Sequence, residues 1–461
     1  MKKLFGDKIF YKMVLTVAVP IMIQNGITNF VSLLDNIMVG RIGTEQMSGV
    51  AIVNQLLFIY MISVFGGVSG AGVFTAQYYG HGDHEGVRNT FRFKMMVCLS
   101  LSLIFLAVMM LWGKGLIGLY LHDSQDGTDI VRTAEYAWEY LKIMLIQMLP
   151  FAIVQAYVST LRETGETVLP MIAGMVAVFV NLGLNYILIF GKLGAPELGV
   201  RGAAIATVIS RFVELTIIVA WTHIHHEKNR FIEGAYRSLL IPKQLAFRII
   251  AKGTPLFLNE GLWSAGQAMI TQCYSVRGLS VVAGLNIAST ITNLFNIVFM
   301  SLGSSVAIIV GQKLGTGNLE DARITAYRMI TFSVLSCVVV SAVMIGVGRL
   351  FPGIYNVTDE VKQIASRLIV VTACVFPIQA YLHAAYFTIR SGGKTFITFL
   401  FDSCFCWVVS IPLATALAHL THMPIMWMFL CVQLADLIKC VIGYILLKSG
   451  IWLNNIVSQE T

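Results

Sequence analysis

Asp35, Glu260, Asp402 and Asp436 each lie inside an apolar run long enough to cross a bilayer. A charge at the centre of a bilayer costs about 2.5–3.5 kcal/mol on insertion scales, so by default it faces a cavity or a partner and does work. Asp35 sits in "FVSLLDNIMVG" (30–40), after Gln24, Asn25 and Asn29 on the same run. Glu260 follows Asn259 in the middle of a later run. Burial raises a carboxyl's affinity for a proton, and a nearby cation lowers it. An acid that holds either a proton or a cationic solute, but not both well, couples the two flows. Asp35 and Glu260 are therefore the candidate coupling residues. Asp402 and Asp436 admit both a structural and a functional reading, with Lys439 placed to answer Asp436. Arg211 and Glu214, three apart in one run, read as an ion pair.

Other motifs carry less chemistry. "SGGKT" (391–395) ends like a phosphate loop, but Thr388 stands where that loop needs glycine and no strand precedes it, so it reads as a tight turn. Gly66 and Gly70 have the spacing of close helix packing. "HIHHEKNR" (223–230) reads as a solvated loop rather than a metal site. The eight cysteines all fall in apolar runs, form no CxxC pair, and read as packing residues. With no catalytic constellation, metal site or nucleotide loop, the expectation is a non-enzyme without cofactors, driven by an ion gradient or by a partner.

The elements that must position these acids follow from composition. The chain has 461 residues, 57% apolar and only 12% charged, with mean hydropathy +0.76. A soluble chain would carry about 25% charged residues. The expected fold class is therefore an all-α polytopic membrane protein. About twelve helical spans fall near 13–39, 47–71, 95–118, 138–158, 168–190, 203–222, 249–273, 281–310, 326–348, 368–388, 396–419 and 424–447. If the N-terminus is cytoplasmic, most lysines and arginines of the loops and helix ends, Lys94 among them, fall inside, as the positive-inside rule requires. Both termini are then cytoplasmic, His84 faces inside and Ser124 outside. The net charge of +8 is a matter of loop placement and calls for no nucleic acid.

The chain also repeats itself. "AQYYGHGDHEGVR" (76–88) resembles "GQKLGTGNLEDAR" (311–323) at an offset of 312 − 77 = 235, which also maps Pro20 onto Pro255 and Gly49 onto Gly284. "TLRETGET" (160–167) resembles "TIRSGGKT" (388–395). Six helices are followed by six related helices, with matching loops on the same side, so the repeat is parallel. The expected organisation is an N-lobe over 1–222, a cytoplasmic connector over 223–248 and a C-lobe over 249–461, the two six-helix repeats facing a central cleft. That is the plan of a secondary transporter. The offset pairs Gln24 with Asn259 and Asn25 with Glu260, so the first helix of each half turns a polar face inward. Asp35 lies further along its helix than Glu260, and the two acids are not symmetry mates.

"NLGLNYILIFGKLGAPELGVRGAAIATVIS" (181–210) and "DNIMVGRIGTEQMSGVAI" (35–52) resemble signatures of the multidrug and toxic compound extrusion (MATE) transporters, and the two "GQ..G" loops match as well. The resemblance covers nearly the whole chain. It implies an antiporter in which Na⁺ or H⁺ drives export of cationic, often aromatic, compounds from two six-helix lobes. Asp35 matches the family's first-helix acid, and Glu260 the seventh-helix acid of a bacterial branch. A fifth-helix aspartate of another branch is Asn185 here, and a tenth-helix aspartate is Gln379. The match leaves Asn181, Asn185 and Thr207 as polar neighbours of Asp35. It leaves a C-lobe cation site on Glu260 alone with neutral oxygens, beside Asn259 and Gln379. The implied partners are small organic cations and membrane lipid. The implied setting is a monomer in the plasma membrane, the inner membrane of a bacterium. A lipid-linked precursor flippase of the wider superfamily is the alternative. It would want a strongly basic cavity, whereas the intramembrane charges here are mainly acidic.

Overall fold

The computed structural model describes residues 4–121, 129–238 and 240–458; Ser124 lies outside them. No strand occurs among the described residues. Eleven helices are long and apolar enough, by length and composition, to cross a membrane. In the first half these are α1 (Lys8–Gly40), α2 (Thr44–His81), α3 (His84–Gly118), α4 (Ile130–Glu163), α5 (Val168–Phe190) and α6 (Val200–Ile224). The second half opens with α7 (Lys243–Ser275). It continues with α8 (Leu279–Gly315), α9 (Leu319–Leu350), α10 (Asp359–Ser391), α11 (Thr395–Leu420) and α12 (Ile425–Ser449). Helix α7 is the twelfth span expected from sequence. At about 1.5 Å per residue its 33 residues are ample. Thr254, Asn259, Glu260, Gln267 and Gln272 make it too polar to count with the other eleven.

The chain packs as two compact units. One holds Ile23–Thr75 and His84–Phe247, and the other Met1–Met22, Ala76–Asp83 and Arg248–Thr461. In the first, Val53, Leu57, Val64, Cys98, Leu141 and Met148 form the centre of an apolar core. The Tyr60 hydroxyl sits there 2.7 Å from both Ser102 Oγ and the Met148 carbonyl, so its burial leaves no polar group unanswered. In the second, Phe10, Val14, Val17 and Ile21 of α1 pack with Val306, Val310, Leu314 and Met329. Helix α1 thus changes partners just after Pro20, which lies inside it. Proline removes one helical hydrogen bond and crowds the preceding turn, so this is where the helix is easiest to redirect. Its repeat mate Pro255 lies inside α7 in the same way.

The matching loops meet each other within the second unit. A methyl group added to Gly80 would run into the carbonyl of Gln312, and one added to Gly315 into the carbonyl of Gln77. Since Gly80 maps to Gly315 and Gln77 to Gln312, this is one contact made twice. Each backbone comes so close that only glycine fits. Gly49 and Gly284, also repeat mates, pack similarly against Thr133 and Ala137 and against Ile364 and Ala365.

The segment after α12 is fastened to these loops. Gln77, fully buried, donates from Nε2 to the carbonyls of Ser391 (2.7 Å) and Asn454 (3.2 Å), and its Oε1 accepts from the Ile456 N–H (2.8 Å). Asn455 donates to the Gly315 carbonyl at 3.2 Å, and Trp452 is fully buried. We expect Gly80→Ala and Gly315→Ala each to lower the melting temperature in detergent well below that of Gly115→Ala, whose added methyl meets open space. The overpacking should be worth about 1–3 kcal/mol. Equal melting temperatures for all three would refute the close contact.

Candidate ion and substrate sites

The N-lobe site is built by α1, α5 and α6. Asn185 donates from Nδ2 to Asp35 Oδ1 at 2.7 Å and to Asn181 Oδ1 at 3.2 Å, and Asn181 Nδ2 lies 3.2 Å from Thr207 Oγ1. Asn181 and Asn185 are one helical turn apart, so both amides point the same way from α5. Rotating the Asn181 amide by half a turn sets its nitrogen 3.1 Å from both oxygens of Asp35 and lets its oxygen accept from Thr207 at 3.2 Å. Asn185 is 2% exposed, and its Oδ1 is buried without a hydrogen-bond partner. A buried acceptor left open beside a carboxylate is a place for a proton donor or a cation. The structure thus brings together Asp35, Asn181, Asn185 and Thr207 as the sequence resemblance implied.

The same unit holds a second polar cluster at the other end of α5. Lys94, fully buried, pairs with Glu163 and donates to Thr160 Oγ1 at 3.2 Å. Its place near a helix end does not leave it in solvent. A fully buried lysine is tolerated when a carboxylate answers it, and only the fold reveals that partner. Gly72 makes the room, since a methyl there would meet the Glu163 carboxylate. Arg162 donates to Gln24, the polar residue after Pro20. Arg211 and Glu214 do pair, at 2.7 Å.

The C-lobe site is built by α7, α10, α11 and α12. Asn259 is its hub. Its Nδ2 donates to Asp402 Oδ2 at 3.2 Å and reaches the Tyr386 hydroxyl at 3.4 Å. Its Oδ1 accepts from the Ser403 N–H at 3.2 Å and lies 2.6 Å from Ser403 Oγ. Residues 400–404 and 406–410 of α11 are wound as π-helical turns. Such turns leave the usual helical bonding out of step, and here a side chain from another helix takes up the Ser403 amide. Asp402 sits in the same turn.

Lys439 donates to Asp402 Oδ1 at 3.1 Å, and the charge of Asp436 acts on the same ammonium. Gln379 donates from Nε2 to Asp436 at 2.7 Å and to Gln433 Oε1 at 3.4 Å, so its amide nitrogen is directed at α12. Glu260 is not the lone acid. The charges of Arg390 and Asp402 both act on it. Sequence spacing missed this because the register along a helix fixes an azimuth only relative to its own neighbours. One signal was available: Arg162 and Arg390 hold the same place in "TLRETGET" and "TIRSGGKT", and each lies by the polar pair after its half's first proline.

Comparison with known proteins points one way. The MatE family model matches residues 20–187 and 255–416. The chain is 29% identical over 311 residues to a probable multidrug resistance protein NorM of Thermotoga maritima, a match over 67% of this chain and 64% of that relative. It is 24% identical over 418 residues to the probable multidrug resistance protein YoeA of Bacillus subtilis, over 88% and 87% of the two chains. Among solved structures, a MATE in complex with MaL6 shares the fold with a TM-score of 0.85 at 18% identity, over 98% of each chain.

The buried ion pair gives a direct test. Lys94→Met alone should destabilise the protein by about 3–5 kcal/mol, because a carboxylate loses its counter-charge away from water. Lys94→Met with Glu163→Gln should recover most of the lost melting temperature. If the double variant melts no higher than the single, the pairing is not what holds Lys94.

Proposed function

The chain belongs to the MatE family, and we propose that it is a cation-coupled antiporter, driven by Na⁺ or H⁺, that exports cationic or amphipathic compounds by alternating access. The observation that carries this reading is the Asp35 cluster. A single carboxylate accepts from the Asn185 amide, and from the Asn181 amide once that is rotated, with Thr207 bonded to Asn181 and the Asn185 Oδ1 acceptor left open. Oxygen ligands of this kind suit a hard monovalent cation, and the carboxylate equally accepts a proton. Asp35 is the coupling residue. Asn185 and Asn181 orient it, and Thr207 fixes Asn181.

When Asp35 is charged and uncompensated, a cationic solute or the coupling ion is favoured. When it is protonated, the attraction for a cationic solute is gone. Competition of this kind lets an inward ion flow drive outward solute flow. Glu260 is assigned a proton in the C-lobe, held among Asn259, Asp402 and Arg390. The names of the bacterial relatives, multidrug resistance proteins, support small organic molecules as cargo and a bacterial inner membrane as the location. The protein works as a monomer with both termini cytoplasmic. Lipid-linked precursors are the less suited cargo, because acids outnumber bases among the charged groups of these two clusters.

Purified protein in proteoliposomes, with Na⁺ and pH gradients varied separately, tests the reading. Asp35→Asn should fold and lose at least about 90% of gradient-driven export, since the group that changes its charge is gone. Near-normal export by this variant would reduce Asp35 to a structural role. Glu260→Gln should export with altered dependence on pH while still binding substrate in detergent. Unchanged dependence on both gradients would remove Glu260 from the coupling scheme.

A further inference from the structure

The C-lobe cluster already contains a cation of its own. The Lys439 ammonium lies 3.1 Å from Asp402 Oδ1, and the two side chains are only 12% and 21% exposed. It also stands 5.4 Å from the ring of Phe401, within the π-wound turn that carries Asp402, and 5.7 Å from that of Phe405, just after it. The other oxygen of Asp402 accepts from Asn259 at 3.2 Å. Asp436, one turn before Lys439 on α12, is within reach of the same ammonium and is tied to Gln379. The charged groups of the cluster are therefore Glu260, Asp402 and Asp436 against Arg390 and Lys439, with half-buried His383 feeling the charges of Asp402 and Lys439.

The first half pairs the counterpart cation differently. The last helix of each half carries two opposite charges three residues apart. Arg211 and Glu214 on α6 satisfy each other at 2.7 Å. Asp436 and Lys439 on α12 have the signs reversed, and Lys439 turns away to Asp402 on α11. At the offset of 228 that relates "TLRETGET" to "TIRSGGKT", the N-lobe counterpart of Asp402 is Gly174, against which Gln24 packs. Asn259 meets an acid where Gln24 meets a glycine. The same offset maps Lys439 onto Arg211, so both lobes keep a base on their last helix, and it is the acid Asp402 that only the C-lobe sets against it.

We propose that Lys439 is the resident counter-cation of the C-lobe: its ammonium holds the place at Asp402 that a free monovalent cation would otherwise take, and so confines metal-ion coupling to the Asp35 site. The second half of this statement rests on the antiporter reading above. A tethered ammonium is always at hand, donates three hydrogen bonds and is favoured over the two ring faces. An incoming Na⁺ would have to displace it and leave a buried ammonium without its carboxylate, which is strongly unfavourable. Lys439 is a specificity-determining residue, and the absence of a family acid at Gln379 fits the same scheme: Gln379 anchors Asp436 and supplies no further charge.

The test uses full-length protein in detergent, melted in NaCl and in choline chloride at equal ionic strength. Asp35→Asn provides the background in which the N-lobe site is removed. Asp35→Asn/Lys439→Gln should gain a Na⁺-specific rise in melting temperature of a few degrees. That rise should vanish when Asp402→Asn is added. Asp35→Asn/Lys439→Arg, which keeps a cation, should behave as the background. No Na⁺ response in the Lys439→Gln variant overturns the proposal, as does a response that survives Asp402→Asn. Should that variant fold only in NaCl, the proposal stands. Should it fail in both salts while the triple variant is stable, Lys439 serves the fold alone and the proposal falls. A Na⁺ response already present in Asp35→Asn, with Lys439 in place, would overturn the confinement of Na⁺ to the Asp35 site. The gain on removing Lys439, measured against that background, would still decide whether the ammonium holds a cation's place at Asp402.

Discussion

A carboxylate in hydrocarbon must find donors within the protein, since water is not there to supply them. Much of the arrangement of this chain follows from that requirement. Asp35 is answered by an amide, Asp402 by an amide and an ammonium, Asp436 by an amide, and the lysine at 94 by a glutamate. Each answer comes from a different helix or a different turn, so satisfying the charge also fixes how the helices are rotated. The two halves solve the problem in different currencies of charge. The N-lobe leaves its acid beside neutral groups and an open acceptor, a state that can change. The C-lobe ties Asp402 into a network with little slack.

Duplication explains the architecture, and divergence explains the chemistry. The glycines at 80 and 315 still make the same contact with the opposite copy's glutamine carbonyl, because a backbone-to-backbone approach tolerates no added atom. The polar positions after the prolines have been freer. Gln24 accepts from Arg162, while Asn259 binds Asp402, Tyr386 and Ser403. The sheltered interior of a helix bundle constrains size and satisfaction of polar groups more than it constrains which polar group is used.

The spans, the repeat and the neighbours of Asp35 were legible in the sequence. Span length follows from bilayer thickness, and a repeat at fixed offset needs no knowledge of structure. Asn181 and Asn185 are a turn apart on one helix, so their shared direction is a local property. The partner of Lys439 was not legible. It depends on how α11 and α12 are rotated, and π-helical turns at 400–404 and 406–410 shift that rotation without leaving a mark in hydropathy. The partner of Lys94 was hidden for a related reason. A lysine near a span end looks like a loop charge until the helix bearing Glu163 is set beside it.

The fastening of the 452–457 segment has a consequence for how the chain is made. Gln77 is buried on groups 377 and 379 residues further along the chain, and on the Ser391 carbonyl. At about 5–20 residues per second, those partners emerge on the order of tens of seconds after Gln77 itself. Through that interval the amide must stay solvated or be held by a surrogate, so the end of α2 cannot reach its final seat until synthesis is nearly over. Its assembly is a late, long-range event, and a chain stalled before Trp452 would present an unsatisfied glutamine and an unfilled apolar socket to quality control.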